Sequence, residues 1–464
     1  MDFIVFLNKN LKQPLYFQLY SYIKKEIEAG SLVAGVKMPP IRQLAIHLRV
    51  SKTTIETAYQ QLVAEGYLES RAKSGIWVSP QEEIGLATQS IKHEDDFSVV
   101  NEATVRYNFE YGDIAVESFP IKKWKRSINE ALSTGRADLL LYGERQGSLA
   151  LREELAKYLN QSRGISCSPG QIVITAGTQP AISTLCQLLS LSGQRVAFEN
   201  PGYDGVRTVF ANLGCSLSPV TLEEDGINIG ELENTGANLV YVTPAHQFPL
   251  GMVLSIQKRK KLLQWAESGE RFIIEDDYDS EFRYSSQPIP PLKAMDYDDK
   301  VIYLGTFSKA FMPGARLSYI ILPQQLSSLF KTKLANYNQS SPPLIQNGLE
   351  LFMKQGDFER HIRKMRKVYQ QKHRMLTASI NLYMGNRIEM IGQKAGLHLL
   401  INVDNRDFMD LKERGLQQEV LIHSPEKFWI NRGDCPKSLV MLGFGGLTEM
   451  EIREGIERLG KAWF

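Results

Sequence analysis

Cysteine is scarce in this chain of 464 residues, and its placement excludes a good deal. The four thiols, Cys167, Cys186, Cys215 and Cys435, form no C-x-x-C pair and join no histidine cluster at zinc spacing. Neither a disulfide framework nor a zinc site is therefore expected, and no metal ligand set stands out. No apolar run approaches the roughly 20 residues of a membrane span. The opening MDFIVFLNKN has too short an apolar stretch, with an acid before it, for a secretory signal. The expectation is a reduced, cytoplasmic protein without a membrane partner. Charge of one sign is lacking as well: a formal net charge of +2 gives no whole-chain signature of nucleic-acid binding. Low-complexity tracts and internal repeats are absent. What remains is an ordinary globular composition, 43% hydrophobic and 23% charged, in a chain long enough for more than one domain.

The charge is unevenly spread. Residues 1–80 hold ten Lys/Arg and six Asp/Glu, so a mildly basic head precedes a mildly acidic body. In the head, Pro14 to Ala29 places Leu15, Leu19, Tyr22, Ile23 and Ile27 at helical spacing, and Gly30 ends the helix. Pro39-Pro40 starts a second helix, Ile41 to Leu48, with Leu44, Ala45 and Leu48 on one face. After a short turn at Arg49-Val50, Ser51 is a good N-cap for a third helix, Lys52 to Glu65, which would bury Ile55, Ala58, Tyr59 and Leu62. Tyr67 to Ser70 and Ile76 to Ser79 read as two short strands joined by a basic turn, RAKSG.

Two short helices at a tight turn followed by a basic hairpin form the winged helix-turn-helix arrangement. Small polar and cationic groups at the start of the third helix, Ser51, Lys52, Thr53 and Thr54, can approach base edges and phosphates. Arg42 on the second helix, and Lys73 with Ser74 in the wing, are placed to meet the DNA backbone. The same residues also fit a solvated face with Ser51 serving only as a cap. The long pattern PPIRQLAIHLRVSKTTIETAYQQLVAEGYL resembles the head of GntR-family regulators, which implies promoter DNA as a partner. The head is taken as residues 1–79. Residues 80–106 lack periodicity and read as a linker long enough to reach a neighbouring subunit.

In the body, 107–464, short apolar runs alternate with helical stretches: Ile172–Ile174, Arg195–Phe198, Leu239–Val242, Phe272–Ile274 and Val301–Leu304. Such runs imply an α/β fold with a mainly parallel central sheet buried on both faces, and ligands at the strand carboxyl ends. The chemistry clusters at those ends. Ala176-Gly177-Thr178-Gln179 is a small-residue turn opening a helix, suited to a phosphate. In Glu275-Asp276-Asp277-Tyr278, an acid can face the pyridinium nitrogen of pyridoxal 5'-phosphate and Tyr278 can bond its ring oxygen. Lys309, after Gly305-Thr306-Phe307-Ser308, suits a Schiff base, and Ser308 and Arg316 suit the phosphate. Singly, an acidic triplet fits a solvated turn and a strand-end lysine fits a surface. Jointly, and in this order, they point to a cofactor site.

The stretches YGERQGSLALREELAKYLNQSRGI, ITAGTQPAI, ENPGY, TPAHQFPLG, EDDYDSEF and GTFSKAFMPGAR resemble a fold-type I, class I aminotransferase. TPAHQFPLG and EDDYDSEF resemble the MocR subgroup, in which this fold follows a GntR head. The resemblance implies Lys309 as the covalent lysine, Asp276 rather than Asp277 at the pyridine nitrogen, and Tyr278 at the ring hydroxyl. It also implies Tyr203 stacked on the ring, with Gly177, Thr178, Ser308 and Arg316 around the phosphate. It implies further a homodimer whose heads are swapped onto partner bodies, reading repeated half-sites in double-stranded DNA. When bound to DNA such a protein is nucleoid-associated.

Two departures bear on activity. Where aminotransferases place an arginine for the substrate carboxylate, this chain has Met441, and Arg432 or Arg387 would have to supply a replacement cation. Where they place the asparagine of N-P-x-G, it has Phe248, with Gln247 or His246 as candidate substitutes. The expected function is therefore a ligand-responsive transcriptional regulator. Its effector would be an amino acid, an amine or pyridoxal phosphate itself, and its genes those of amino-acid, amine or vitamin B6 metabolism. A working aminotransferase that regulates its own gene is the alternative. A third reading makes the body only a dimerisation scaffold.

Overall fold

The computed structural model describes residues 7–8, 13–80, 105–133, 137–284 and 289–464. The chain divides into two compact units, Met1–Ser98 and Val99–Phe464. The expected linker lies, from 81 to 104, outside the described residues.

In the head, helices Leu15–Glu28, Ile41–Leu48 and Lys52–Ala64 precede a hairpin of Leu68–Arg71 and Gly75–Val78. The hairpin is antiparallel, pairing Leu68 with Val78 and Arg71 with Gly75. Leu19, Ile23, Ile27, Leu44, Ile55, Tyr59 and Leu62 form its core. One face assignment is corrected: the first helix buries Tyr20, whereas Tyr22 is only half-buried. The reason is a partner, since the Tyr20 hydroxyl donates to Glu65 Oε2 at 2.6 Å across the bundle. Ser51 caps the third helix by accepting from Thr54 N at 3.1 Å, and Arg49 takes a left-handed φ of 52° in the turn before it.

In the body, eight strands form one sheet. Across it they run Ile172–Thr175, Ser318–Ile321, Val301–Thr306, Phe272–Asp277, Leu239–Val242, Arg195–Asn200, Ser216–Glu223 and Gly226–Ile227. Ser318–Ile321 is antiparallel to both neighbours, and so is the short edge strand to its one neighbour; the remaining pairings are parallel. Alternating side chains feed two cores, as strand geometry requires. Ile274, Ile302 and Tyr241 pack with Ile182 and Leu185 of helix Thr178–Leu189 on one face. Ile273, Val301 and Val240 pack with Leu262 and Trp265 of helix Ile256–Glu267 on the other. A three-stranded antiparallel sheet, Ile388–Ile391, His398–Val403 and Leu439–Gly443, packs with helices Asp357–Tyr383 and Glu449–Trp463. Among the described residues no helix is long and apolar enough to cross a membrane.

Strand Phe272–Asp277 runs three residues beyond the apolar run that announces it. Each acid in that extension has its own reason to be buried. Glu275 accepts from Leu292 N at 2.7 Å and Lys293 N at 2.9 Å. Asp277 pairs with buried Arg163 and accepts from Tyr303 Oη at 2.6 Å. Asp276, on the opposite side of the strand, accepts from Tyr241 Oη at 2.5 Å.

Candidate functional site

The carboxyl ends of these strands surround a cavity of about 420 Å³. Strand alternation decides which acid enters it. Asp276 shares the face of Ile274 and lines the cavity, while Asp277 turns to the other face and its arginine. One Asp276 oxygen is held by Tyr241; the other, Oδ1, is buried with no hydrogen-bond partner. A buried acceptor left unmatched is costly and marks a place where a donor belongs. Burial raises the Asp276 carboxyl to about 7, Tyr241 opposing and the nearby Asp277 and Asp279 adding to the rise.

Lys309 projects from the short helix Phe307–Ala310 that follows strand Val301–Thr306. Its Nζ donates to Gly112 O at 2.8 Å and sits 4.2 Å from the centre of the Tyr111 ring. Burial pushes its ammonium down to about 8, against the pull of Asp279 and Asp113, so the free amine is far more accessible near neutrality than for an ordinary lysine. A lysine so placed is a nucleophile toward carbonyl carbon.

At the far end the backbone prepares an anion cradle. Gly177, at φ 111°, caps helix Thr178–Leu189, and a Cβ there would lie 2.4 Å from Arg316 Nη2. Arg316 itself is left-handed at φ 48° and donates to Ala176 O at 3.2 Å. Ser318 Oγ donates to Thr306 Oγ1 at 2.9 Å, and Thr306 donates to Ser308 Oγ at 3.1 Å. Ser308 is thus left to aim its own proton into the cavity. The helix N-terminus, the guanidinium and this hydroxyl chain suit a phosphate.

Of the residues expected at the cofactor, Lys309, Asp276, Tyr278, Tyr203, Thr178, Ser308 and Arg316 line this one cavity. Gly177 stands behind it, against Arg316. Tyr278 Oη lies 3.0 Å from His246 Nδ1. The substitutes proposed for the missing asparagine do not line the cavity. Gln247 Nε2 is spent on Pro201 O and Phe248 O, and His246 lies behind Tyr278. Phe248 does line it, edge-on to Tyr203 and Tyr278. Met441 is buried with Phe248, Leu400, Phe428 and Trp429 in an apolar cluster. Neither Arg387 nor Arg432 replaces an arginine there. Arg387 donates to Tyr383 O and Met384 O, and Arg432 is exposed and does not line the cavity. Besides Lys309 and Arg316, Lys427 lines the cavity. Sequence reasoning also missed Tyr111, Gly112, Tyr241 and Phe428, which no local motif announces, and gave no role to Thr306, which sits in the lysine motif.

In the head, Arg42, Ser51, Lys52, Thr53 and Lys73 are exposed, and Thr54 and Ser74 half-buried. Lys73 sits at the wing tip with φ 60°. Behind it the wing is stiffened by Trp77, with Arg71 4.9 Å and Lys37 5.5 Å from its ring.

The family described as "Aminotransferase class I and II" matches residues 107–459, and "Bacterial regulatory proteins, gntR family" matches 15–78. The uncharacterised HTH-type transcriptional regulator YdeL of Bacillus subtilis is 36% identical over the whole of both chains. The probable rhizopine catabolism regulatory protein MocR of Rhizobium meliloti is 31% identical, over 98% of this chain and 95% of that one. The chain belongs to the MocR-type subgroup of GntR-family transcriptional regulators. A third relative of this MocR-type chain is the HTH-type pyridoxine biosynthesis transcriptional regulator PdxR of Corynebacterium glutamicum. It is 29% identical over 97% of this chain and 96% of its own. Among solved structures, an archaeal alanine:glyoxylate aminotransferase superposes with a TM-score of 0.70 at 27% identity, covering 78% of this chain and 91% of the other. The aminotransferase class I and II fold family is pyridoxal-phosphate-dependent, and the GntR head is a DNA-binding module.

Proposed function

We propose that this MocR-type regulator binds pyridoxal 5'-phosphate in its body and changes its grip on promoter DNA when that site is filled or its contents change. The observation that carries the reading is the unpartnered Asp276 Oδ1 in the same cavity as the free-amine-prone Lys309 and the Arg316 cradle. Asp276 would accept from the ring nitrogen, and Tyr278 would meet the ring oxygen. Tyr203 would cover the ring face. Gly177, Thr178, Ser308 and Arg316 would hold the phosphate. The cofactor supplies an aldehyde that amines capture, which gives the site a chemical means of telling amines apart.

The head, residues 1–79, would read DNA through Ser51, Lys52, Thr53 and Thr54, with Arg42, Lys73 and Ser74 on the backbone, and residues 80–106 would tether it to the body, 107–464. A homodimer is supported by the apolar run Leu140, Leu141 and Tyr142, which is 86%, 68% and 88% exposed in the single chain. We place each head on the partner's body, reading promoter repeats, in a cytoplasmic protein that joins the nucleoid when bound. Met441 in an apolar cluster favours amines or pyridoxal phosphate over α-amino acids as the signal, and vitamin B6 or amine metabolism as the controlled process. Lys309, Asp276 and Tyr278 together also favour a second reading, a working aminotransferase.

The test is binding of the purified dimer to DNA upstream of its own gene at fixed moderate salt, with and without pyridoxal phosphate, since phosphate contacts make affinity salt-dependent. Site-specific binding that changes with the cofactor is expected. A protein that binds no cofactor, or whose DNA affinity ignores it, refutes the reading. Sustained turnover of an amino acid with a keto acid would establish the second.

A further inference from the structure

Behind the cavity wall lies a buried pair that the cofactor reading leaves unused. His246 and Asp279 are 2% and 1% exposed. His246 Nδ1 is 2.9 Å from Asp279 Oδ2 and 3.1 Å from Oδ1, and it is also 3.0 Å from Tyr278 Oη. The other ring nitrogen, Nε2, is buried with no hydrogen-bond partner. An ionised carboxylate only accepts hydrogen bonds, so the proton of His246 must be on Nδ1, whether the ring is neutral or charged. An unpartnered Nε2 agrees, because a bare lone pair there avoids burying an unmatched N–H. With the single Nδ1 proton directed at Asp279, Tyr278 Oη can at most share it, and Nδ1 offers no lone pair for the tyrosine proton to bond. The tyrosine proton is then free to turn into the cavity, toward the place of a ring oxygen.

We infer that His246 and Asp279 are positioning residues that fix the direction of the Tyr278 hydroxyl proton, so that Tyr278 donates into the cofactor cavity. His246 thereby stands in for the missing asparagine indirectly, through Tyr278. The pair is held from a distant part of the chain: a Cβ at Gly396 would lie 2.3 Å from His246 Cε1 and 2.6 Å from Asp279 Oδ2. Gly396 N in turn donates to Phe282 O at 2.8 Å, closing the loop over the pair. The other titratable groups around it are His398, whose ring is 5.7 Å from that of His246, Arg283, Glu281 and Tyr284, whose charges couple to Asp279, and, within the cavity, Tyr111, Asp276 and Lys309. Burial pushes His398 down to about 3, so it stays neutral and does not compete for Asp279.

The inference rests on the cofactor reading, and the experiment separates the two. The whole dimer is loaded with pyridoxal phosphate and its visible band is titrated with pH. A hydroxyl donated to the ring oxygen stabilises that oxygen's negative charge and lowers its affinity for a proton. Tyr278→Phe should raise the midpoint by about one to two pH units, the worth of a charge-assisted hydrogen bond. His246→Gln, whose amide reaches the wrong place, should raise it in the same direction. His246→Asn, which returns an N–H at the Nδ1 position, should restore it. The double variant Tyr278→Phe, His246→Gln should go no further than Tyr278→Phe alone.

A His246→Gln midpoint equal to wild type, or a Tyr278→Phe midpoint that does not move, overturns the inference while leaving cofactor binding intact. A wild-type protein with no visible band refutes the cofactor reading itself, and the inference with it. If His246→Gln does not fold, Asp279→Asn decides. It frees the histidine proton from Nδ1, so an upward shift supports the assignment and an unchanged midpoint overturns it.

Discussion

Replacing Asp276 by asparagine should strengthen the fold and weaken the site. In the free protein the Asp276 carboxyl stands at about 7 instead of 3.8, chiefly because it is buried. A raised carboxyl means that between these values the folded chain holds a proton the unfolded chain has released. Stability from this group is therefore intact below about 4 and falls as pH climbs toward 7. At ~1.4 kcal/mol per pH unit, the interval sets a ceiling of roughly 4 kcal/mol lost by pH 8. Asparagine has no charge to bury, and its carbonyl can keep the Tyr241 hydrogen bond. It does set an N–H where Oδ1 now stands alone, at a cost of about 1–3 kcal/mol. Denaturant midpoints of the cofactor-free proteins should therefore show the variant weaker than wild type at pH 4 and stronger by about 1–2 kcal/mol at pH 8. Toward pyridoxal phosphate the order reverses. A donor would face the ring nitrogen in place of an acceptor, and affinity at pH 8 should fall by about 10- to 100-fold. A stability difference that does not change with pH, or an undiminished affinity, would refute the argument.

Gly177→Ala would set a methyl 2.4 Å from Arg316 Nη2 at a φ of 111°. Pyridoxal phosphate affinity should drop about tenfold with the far-ultraviolet circular dichroism unchanged, and an unchanged affinity would show that the turn does not serve the phosphate. Asp277→Asn removes the countercharge of buried Arg163, so urea denaturation should show a loss of about 3–5 kcal/mol. In the head, Lys73→Ala should weaken operator and random DNA alike and lower the slope of log affinity against log salt by about 1. A loss confined to the operator would instead make Lys73 a reader of bases.

The head was legible nearly residue by residue because its signals are local: a proline pair, a serine cap and a helical stripe that the fold obeys. The one misplaced face, Tyr22 for Tyr20, turned on a long-range hydrogen bond to Glu65. In the body the apolar strands announced themselves, but Phe272–Asp277 read as ending at Ile274, since three acids contradict a buried strand until their partners are known. Those partners, Leu292 and Lys293 for Glu275, Arg163 for Asp277 and Tyr241 for Asp276, come from elsewhere in the chain. Ser318–Ile321 and Ser216–Glu223 were not recognised, the second because much of it is half-exposed and polar. Lys309, Ser308 and Arg316 were found because they sit in one motif. Tyr111 and Lys427 were not, because only closure of the fold brings them to the cavity.

That closure has a consequence for the life of the chain. The cavity wall is stitched from positions 111 to 428, so nothing shorter than almost the whole body can build it. A ligand seated there acts as a drawstring, tying early segments to late ones and adding stability by mass action, by about 2.7 kcal/mol when its concentration is a hundred times the Kd. A nascent or clipped chain has no such fastening. Occupancy of the pocket would then require residues 111 to 428 to have been made and folded together.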